Sequence, residues 1–447
     1  MKTVSAAVAA IVVDVVDGTA VVAIGAKPLG APAPTLHRTD LPNGLTVLSE
    51  AVPGARSVAF GAWVRAATLH EHPEQMGVSH LLEHMVFKGT RSRSAQEIAL
   101  SLETLGGSLD AYTEREHTSY QARVLDEHLA EAAHVIGELI FHPLLRSEDL
   151  ALERKVILEE ISMVEDTPDD IIFDVHNRAL WGDHPHGFAI LGTRDTVKTL
   201  DVPDIRALHA RAYHPGRLVV AASGRVEHEQ LLETLRQTGW MDIPKGDVTP
   251  FPVDPVEVAG PHAEHIKRKD IGQTHIVLGG QGIAHGDDRR YAFALIDMLL
   301  GGGMSSRLFQ RVREELGLAY SVHSFSSAYA DTGSHGVYLA SAPETAQQAI
   351  DAVREVLRGV ALNGLTASEL AAGKRQLRGQ LVMSMEGVSS RMYRAATTAL
   401  YGEPFRTIDE LMALVDAIDE DQVRDVARDF FDPDRHILVS LGPKAVR

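Results

Sequence analysis

The order of helix and strand signals read along residues 35–241 begins again after residue 262, and this repetition restricts the chain more than any single motif does. In the first stretch, Asn43-Gly44 between Leu41 and Leu45 predicts a hairpin, and residues 57–64 read as a strand. Residues 77–88 read as a helix stopped by Gly89 and residues 95–105 as a second helix. Two strands follow over 108–124, then helices over 129–141 and 148–164, and a buried-type strand over 218–223. In the second stretch, strands are expected at 275–278, 319–325 and 335–340, and helices at 290–300, 343–360 and 367–385. The repetition extends to residues: Asp149-Leu150-Ala151 is echoed by Glu369-Leu370-Ala371, and Arg154-Lys155 by Lys374-Arg375. Either the chain is a duplication of one α+β unit, or common strand–helix alternation has produced short matches.

The intervening stretch carries Pro244, Pro250, Pro252, Pro255 and Pro261 without periodicity, as an inter-domain linker or a long surface loop would. The expected organisation is an N-terminal extension (1–34), a first unit (35–241), a linker (242–261) and a second unit (262–447). Each unit should be an antiparallel-rich sheet packed with helices, the two forming a chamber. In the extension, 11–16 and 19–24 read as strands about an Asp17-Gly18 turn. Lys2 with the apolar run 4–13 also resembles a signal peptide, interrupted by Asp14 and Asp17. A cytoplasmic location is expected, with export as the alternative if residues 1–26 act as a signal. No apolar run is long enough for a membrane span.

Charge and cysteine content narrow the chemistry. The formal net charge of −18 opposes nucleic-acid binding, which needs clustered Lys and Arg. It favours basic or neutral ligands, or simply keeps the surface solvated. With no cysteine, thiolate nucleophiles and Cys-based metal sites are excluded, so any metal must be held by His, Asp or Glu.

Such a set occurs at Ser79-His80-Leu81-Leu82-Glu83-His84-Met85. At about 3.6 residues per turn, His80 and His84 stack on one helix face with Glu83 about 60° from His80. Val78, Leu81, Leu82, Met85 and Val86 occupy the opposite face, so the helix can bury one side and present the other. Two His at i and i+4 can hold one Zn²⁺, and an adjacent carboxylate can take a proton from attacking water, the H-x-x-E-H pattern. A solvated polar helix face would show the same residues. A third ligand is needed, and the 153–161 segment offers Glu153 and Glu160, seven apart on one face, with Glu159 about 100° away. If Glu160 binds metal, Glu153 is placed to orient a ligating imidazole.

The segments GVSHLLEHMVFKGT and ERKVILEEI, with 76 positions from His84 to Glu160, resemble the pitrilysin/insulinase-type zinc metallopeptidases, in the branch of mitochondrial processing peptidase and its bacterial relatives. The resemblance covers about residues 36–445. It implies one Zn²⁺ per chain held by His80, His84 and Glu160, Glu83 as general base and Glu153 as the supporting carboxylate. It also implies that Asp110, Ala111, Tyr112 and Thr113 offer an edge strand to a peptide substrate; the alternative is an ordinary hairpin strand. Many relatives have Asn where this chain has Asp110, whose oxygens can only accept, so that contact is altered or absent. Arg313 and Tyr320, following the Gly301-Gly302-Gly303 loop, are implied as a pair reaching the zinc site, where guanidinium and phenol suit a carbonyl or developing oxyanion.

Aligning the halves places Phe293, Ile296 and Asp297 at the positions of His80, Glu83 and His84, and Gly373 and Gln380 at those of Glu153 and Glu160. The second half is expected to keep the scaffold without the metal site. The reading is a zinc endopeptidase acting on unfolded or presequence-like peptides, as a homodimer or with a second chain. The rivals are a catalytically silent scaffold and a nucleotide-binding protein using the glycine loop, although no Lys-Ser/Thr follows that loop.

Overall fold

The computed structural model describes residues 36–447 throughout, with the backbone of two earlier strands. Those strands, β1 (Ile11–Val16) and β2 (Thr19–Ile24), pair antiparallel from Ile11 opposite Ile24 to Val16 opposite Thr19, as two apolar runs about Asp17-Gly18 predict. Their Asp17-Gly18 turn and the stretch from Lys27 to Pro34 lie outside the described residues. They belong to one compact unit (Met1–Thr35), and Leu36–Arg447 forms a second.

The first half of that second unit contains β3 (Leu36–Asp40), β4 (Thr46–Ala51), β5 (Ser57–Val64), β6 (Ser108–Thr113), β7 (Thr118–Leu125) and β8 (Leu218–Gly224). Its helices are α1 (Val78–Val86), α2 (Ala95–Glu103), α3 (Leu129–Phe141), α4 (Ser147–Asp166), α5 (Pro168–Trp181), α6 (Arg194–Thr199), α7 (Val202–Ala212) and α8 (His228–Gln237). The second half contains β9 (Ala263–Lys267), β10 (Thr274–Gln281), β11 (Ala319–Ala328), β12 (Gly333–Ser341) and β13 (Ile437–Gly442). Its helices are α9 (Arg290–Gly301), a π-helical turn Phe309–Glu315, α10 (Ala346–Asn363), α11 (Ala367–Ser384), α12 (Val388–Leu400), α13 (Ile408–Ala417) and α14 (Glu420–Phe430). Residues 242–260 form neither helix nor strand. They are tied down where Phe251 lies under the guanidinium groups of Arg211 and Arg217, 4.1 and 4.4 Å from its ring centre.

The two sheets have one topology. The first runs β3-β4-β8-β5-β7-β6 and the second β11-β12-β10-β13-β9, so β4 to β8 correspond one for one to β9 to β13, with β3 added at one edge. Even the single parallel pairing recurs: β4 with β8, and β9 with β13. This supports duplication over chance alternation. The fold is α+β, with antiparallel-rich sheets as expected.

How the sheets are covered is not evident from the element order. In β5, Val58, Phe60, Ala62 and Val64 face the core shared with α1 and α3, while Ala59 and Trp63 face the opposite side. A strand apolar on both faces needs two covers. The second comes from the far half: Val388, Met392, Ala395, Ala396 and Ala399 of α12 pack on Leu48, Trp63, Val219 and Ala221. The small residues let this helix approach the sheet closely. Reciprocally, Ile172, Ala179, Leu180 and Trp181 of α5 pack on Val277, Tyr338, Ala340 and Val439 of the second sheet. Polar ties reinforce the exchange. Arg391 binds the fully buried Glu50 at 2.6 Å, and Arg65 donates to the carbonyls of Ala399 and Leu400 at the C-terminus of α12.

Several histidines are enclosed in this framework. Burial pushes His70, His117 and His176 down to about 4, and lowers His335 and His436 as well. Such groups are neutral when folded but bind protons when unfolded below about pH 6.5, so unfolding takes up protons there. Their contribution is complete above that pH and is lost as pH falls toward 4, at about 1.4 kcal/mol per pH unit for each fully buried ring. Glu71, pushed up to about 7 by burial, acts in the opposite sense and offsets one of them, and the carboxyls of Glu83, Glu114, Glu116, Asp174 and Asp297, also raised by burial, offset a further part. Urea unfolding at about pH 7, 6 and 5 should therefore show a steady loss of stability, and a flat profile would contradict it.

Candidate active site

α1 begins at Gly77, whose φ of 91° suits glycine, and a Cβ there would lie 2.7 Å from the Leu191 carbonyl oxygen. Leu81, Leu82, Met85 and Val86 are buried against the first sheet, leaving His80, Glu83 and His84 on the half-exposed face. The helix start is held by a residue the sequence does not advertise. Glu71 is buried and accepts hydrogen bonds from the Gly77 and Ser79 N–H groups, 2.8 Å each. This carboxylate satisfies donors that would otherwise be orphaned at a buried helix N-terminus. Its six-residue separation from Gly77 resembles no capping pattern.

α4 brings the third donor. His80 Nε2 lies 3.8 Å from one Glu160 oxygen and His84 Nε2 3.7 Å from the other, with the imidazole ring centres 4.6 Å apart. Ligand atoms about 2.0–2.2 Å from a tetrahedral ion are separated by about 3.3–3.5 Å, so slight closure would complete the set. Two further observations fit a cation. Glu160 Oε2 is buried without a hydrogen-bond partner, and burial, then the neighbouring His84, pushes His80 down to about 3, keeping it neutral. Glu153, one face-repeat before Glu160, accepts from His84 Nδ1 at 3.1 Å, which directs Nε2 toward the cluster. Lys88 Nζ holds the other Glu153 oxygen at 2.6 Å, a partner visible only once α1 and α4 are packed together.

Glu83 projects beside this triad. Its carboxylate accepts a 2.5 Å hydrogen bond from Thr113 Oγ1, and its pKa is raised above the ordinary carboxylate value, chiefly by burial. Thr113 ends β6, an edge strand of the first sheet. The Glu114–His117 hydrogen-bonded pair at the hairpin turn sets the alternation along β6. Asp110 and Tyr112 therefore bond to β7 through their main chain. Leu109, Ala111 and Thr113 turn their main-chain groups toward the open edge. The Asp110 side chain is exposed, and Tyr112 accepts from Trp63 Nε1 at 3.3 Å.

The second half has no equivalent cluster. Phe293 and Ile296 are buried in its core, and Asp297 accepts from Ser326 at 3.4 Å. At Gly373 a Cβ would meet Leu299 at 2.8 Å: α11 packs on α9 too closely for the side chain that Glu153 carries in the first half. Arg313 and Tyr320 pair with each other, the guanidinium 4.6 Å from the phenol ring centre. Among the described residues neither contacts the His80/His84/Glu160 cluster, and Tyr320 is 75% exposed. Gly301 is a packing glycine, since a Cβ there would lie 2.1 Å from the Ser324 nitrogen, whereas Gly303 is open.

The chain is similar to known proteins over most of its length. The family described as insulinase (peptidase family M16) matches residues 46–194, and the M16 inactive domain matches residues 199–377. An uncharacterized zinc protease of Streptomyces coelicolor is 39% identical over 92% of this chain and 90% of its own length. Another, from Bacillus subtilis, is 37% identical over 91% of this chain and 98% of its own. A crystal structure of a Pseudomonas fluorescens peptidase M16 inactive domain superposes with a TM-score of 0.86 at 22% identity, covering 92% of this chain and 99% of that one. A protease from Helicobacter pylori superposes with a TM-score of 0.85 at 20% identity, with 92% and 100% coverage.

Proposed function

The chain belongs to peptidase family M16, the insulinase-type peptidases, and on that premise we propose that it is a zinc-dependent endopeptidase acting on unfolded peptides, including presequence-like segments. The observation that carries this reading is the convergence of His80, His84 and Glu160 donor atoms, all within 4.8 Å of one another, beside the half-buried carboxylate of Glu83, which is not itself a donor. His80, His84 and Glu160 would hold one Zn²⁺ per chain. When bound, the ion supplies Lewis acidity toward the scissile carbonyl and toward water. Glu83 takes the proton of the attacking water and delivers it to the departing amine. Thr113 fixes the Glu83 carboxylate, and Glu153 fixes the His84 tautomer. The substrate adds as a strand along β6, using main-chain groups of Leu109, Ala111 and Thr113.

Binding through main-chain groups explains why an extended segment is required and why sequence choice is loose. Asp110 and Tyr112 contribute side chains rather than edge hydrogen bonds, and an acidic Asp110 favours peptides with basic or N–H-rich neighbours. Arg313 and Tyr320 are proposed donors to the substrate carbonyl or developing oxyanion. Because they sit away from the cluster of their own chain, a homodimer is the simplest assembly that uses them, with a hetero-partner as the alternative. The halves would then enclose the site as a chamber. Among the described residues no helix is long and apolar enough to cross a membrane.

Ala111→Pro tests the strand-addition step. Proline removes an N–H directed at the open edge and leaves the β7 ladder intact. Loss of one main-chain hydrogen bond, about 0.5–1.5 kcal/mol, should raise KM about 2- to 10-fold at unchanged kcat, measured with a quenched fluorescent peptide. An unchanged KM would remove β6 from the binding site.

A further inference from the structure

A second group of metal-capable side chains, sharing no residue with the first, lies where the two halves meet. We propose that Glu116, His186 and Asp331 form a second binding site, for a divalent transition-metal ion of the zinc class, that fastens the two halves together. Their donor atoms all lie within 4.8 Å of one another, and His186 Nε2 is 3.7 Å from Asp331 Oδ1. Glu116 occupies the β6–β7 turn and His186 a helical turn after α5, both in the first half; Asp331 lies between β11 and β12 in the second.

The observation that points to a ligand is the state of His186. Its side chain is 0% exposed, and neither ring nitrogen has a hydrogen-bond partner. A buried imidazole normally satisfies at least one nitrogen, because leaving a buried polar atom unpaired costs about 1–3 kcal/mol. The ring is also held in one orientation, 4.7 Å from Tyr329, 5.2 Å from Trp181 and 5.2 Å from His184, centre to centre. Neighbouring polar groups are committed elsewhere. His184 contacts the Asp254 carbonyl through Nε2 and accepts from the His186 N–H through Nδ1, while Arg115 donates to the Phe188 carbonyl.

Glu116 is oriented as a ligating carboxylate is. Oε2 accepts from Tyr401 at 2.7 Å and Oε1 from the Ala330 N–H at 3.0 Å, which leaves lone pairs for a cation. One imidazole nitrogen with two carboxylates suits zinc-class ions; calcium and magnesium prefer all-oxygen sets. The two carboxylate charges balance a divalent ion, and Asp331, whose side chain is 60% exposed, provides the entry path. The clasp is tied to β6 on one side and to α12 on the other, through Glu116 itself and its bond to Tyr401.

The test is Zn²⁺ binding to metal-stripped, full-length protein, measured by equilibrium dialysis. Wild type should bind two equivalents and Asp331→Asn one, because loss of a ligand weakens the site by at least about tenfold. His80→Ala/Glu160→Ala should still bind one equivalent, lost when Asp331→Asn is added. The proposal is overturned if Asp331→Asn leaves the wild-type stoichiometry and affinity unchanged, or if the folded His80→Ala/Glu160→Ala variant binds no Zn²⁺. Asp331 lies on an exposed turn, so the wild-type comparison stands even if the double variant does not fold. Failure of the catalytic site alone gives a different result: one equivalent in wild type and none in Asp331→Asn.

Discussion

Replacing Glu83 with Gln is expected to lower kcat by about 10²- to 10⁴-fold while leaving metal content at the wild-type level. The substitution is nearly isosteric, and the amide oxygen can still accept the Thr113 hydroxyl that holds Glu83 at 2.5 Å. What disappears is the ability to take a proton from water. Glu83 is not one of the converging donors, so the cluster of His80, His84 and Glu160 stays intact. Quenched-peptide hydrolysis together with elemental analysis of the same preparation separates these effects. Full activity in Glu83→Gln would mean that another group is the base. A catalytically silent scaffold would show no peptide hydrolysis in wild type either.

Removing Glu160 should act on the metal first and on the rate as a consequence. Glu160→Ala leaves two imidazoles on one helix, with no donor from α4 to close the coordination. Glu153→Gln keeps all three donors but weakens the bond to His84 Nδ1, currently 3.1 Å, and removes the charge partner of Lys88. Loss of such a supporting partner costs about 10- to 100-fold in metal affinity, and loss of the ligand itself should exceed that. The expected order in Zn²⁺ affinity is wild type, Glu153→Gln, then Glu160→Ala, with hydrolysis following it. Competition against a chromophoric chelator measures the order directly. Equal affinity in wild type and Glu160→Ala would remove Glu160 from the ligand set.

The parts of the molecule readable in the sequence are those set by local periodicity and spacing. α1 shows its two faces because its apolar residues recur at helical spacing opposite His80, Glu83 and His84. β8 reads as a buried strand because it is apolar on both faces, and β5 reads as a strand. The echo between 149–155 and 369–375 marks a repeat that the matching sheet orders bear out. What escaped depends on contacts between distant segments. α5 and α12 each cover the sheet of the opposite half, an exchange no local pattern encodes. Glu71 and Lys88 look like surface charges until packing places one under the start of α1 and the other on Glu153. His186 and Asp331 are 145 positions apart and meet only because the halves dock. Arg313 stacks on Tyr320, and among the described residues neither contacts the triad that the resemblance implies they reach.

Restoring activity to metal-stripped protein tests the central assignment most directly. Full-length wild type and Glu160→Ala would be stripped with a chelator and titrated with Zn²⁺ while hydrolysis of a quenched fluorescent peptide is followed. The account predicts that the stripped wild type is inactive and recovers to a plateau when the triad has taken up one Zn²⁺ per chain, whereas Glu160→Ala does not recover at stoichiometric Zn²⁺. Undiminished hydrolysis by the stripped wild type, or equal recovery of both proteins, would contradict it.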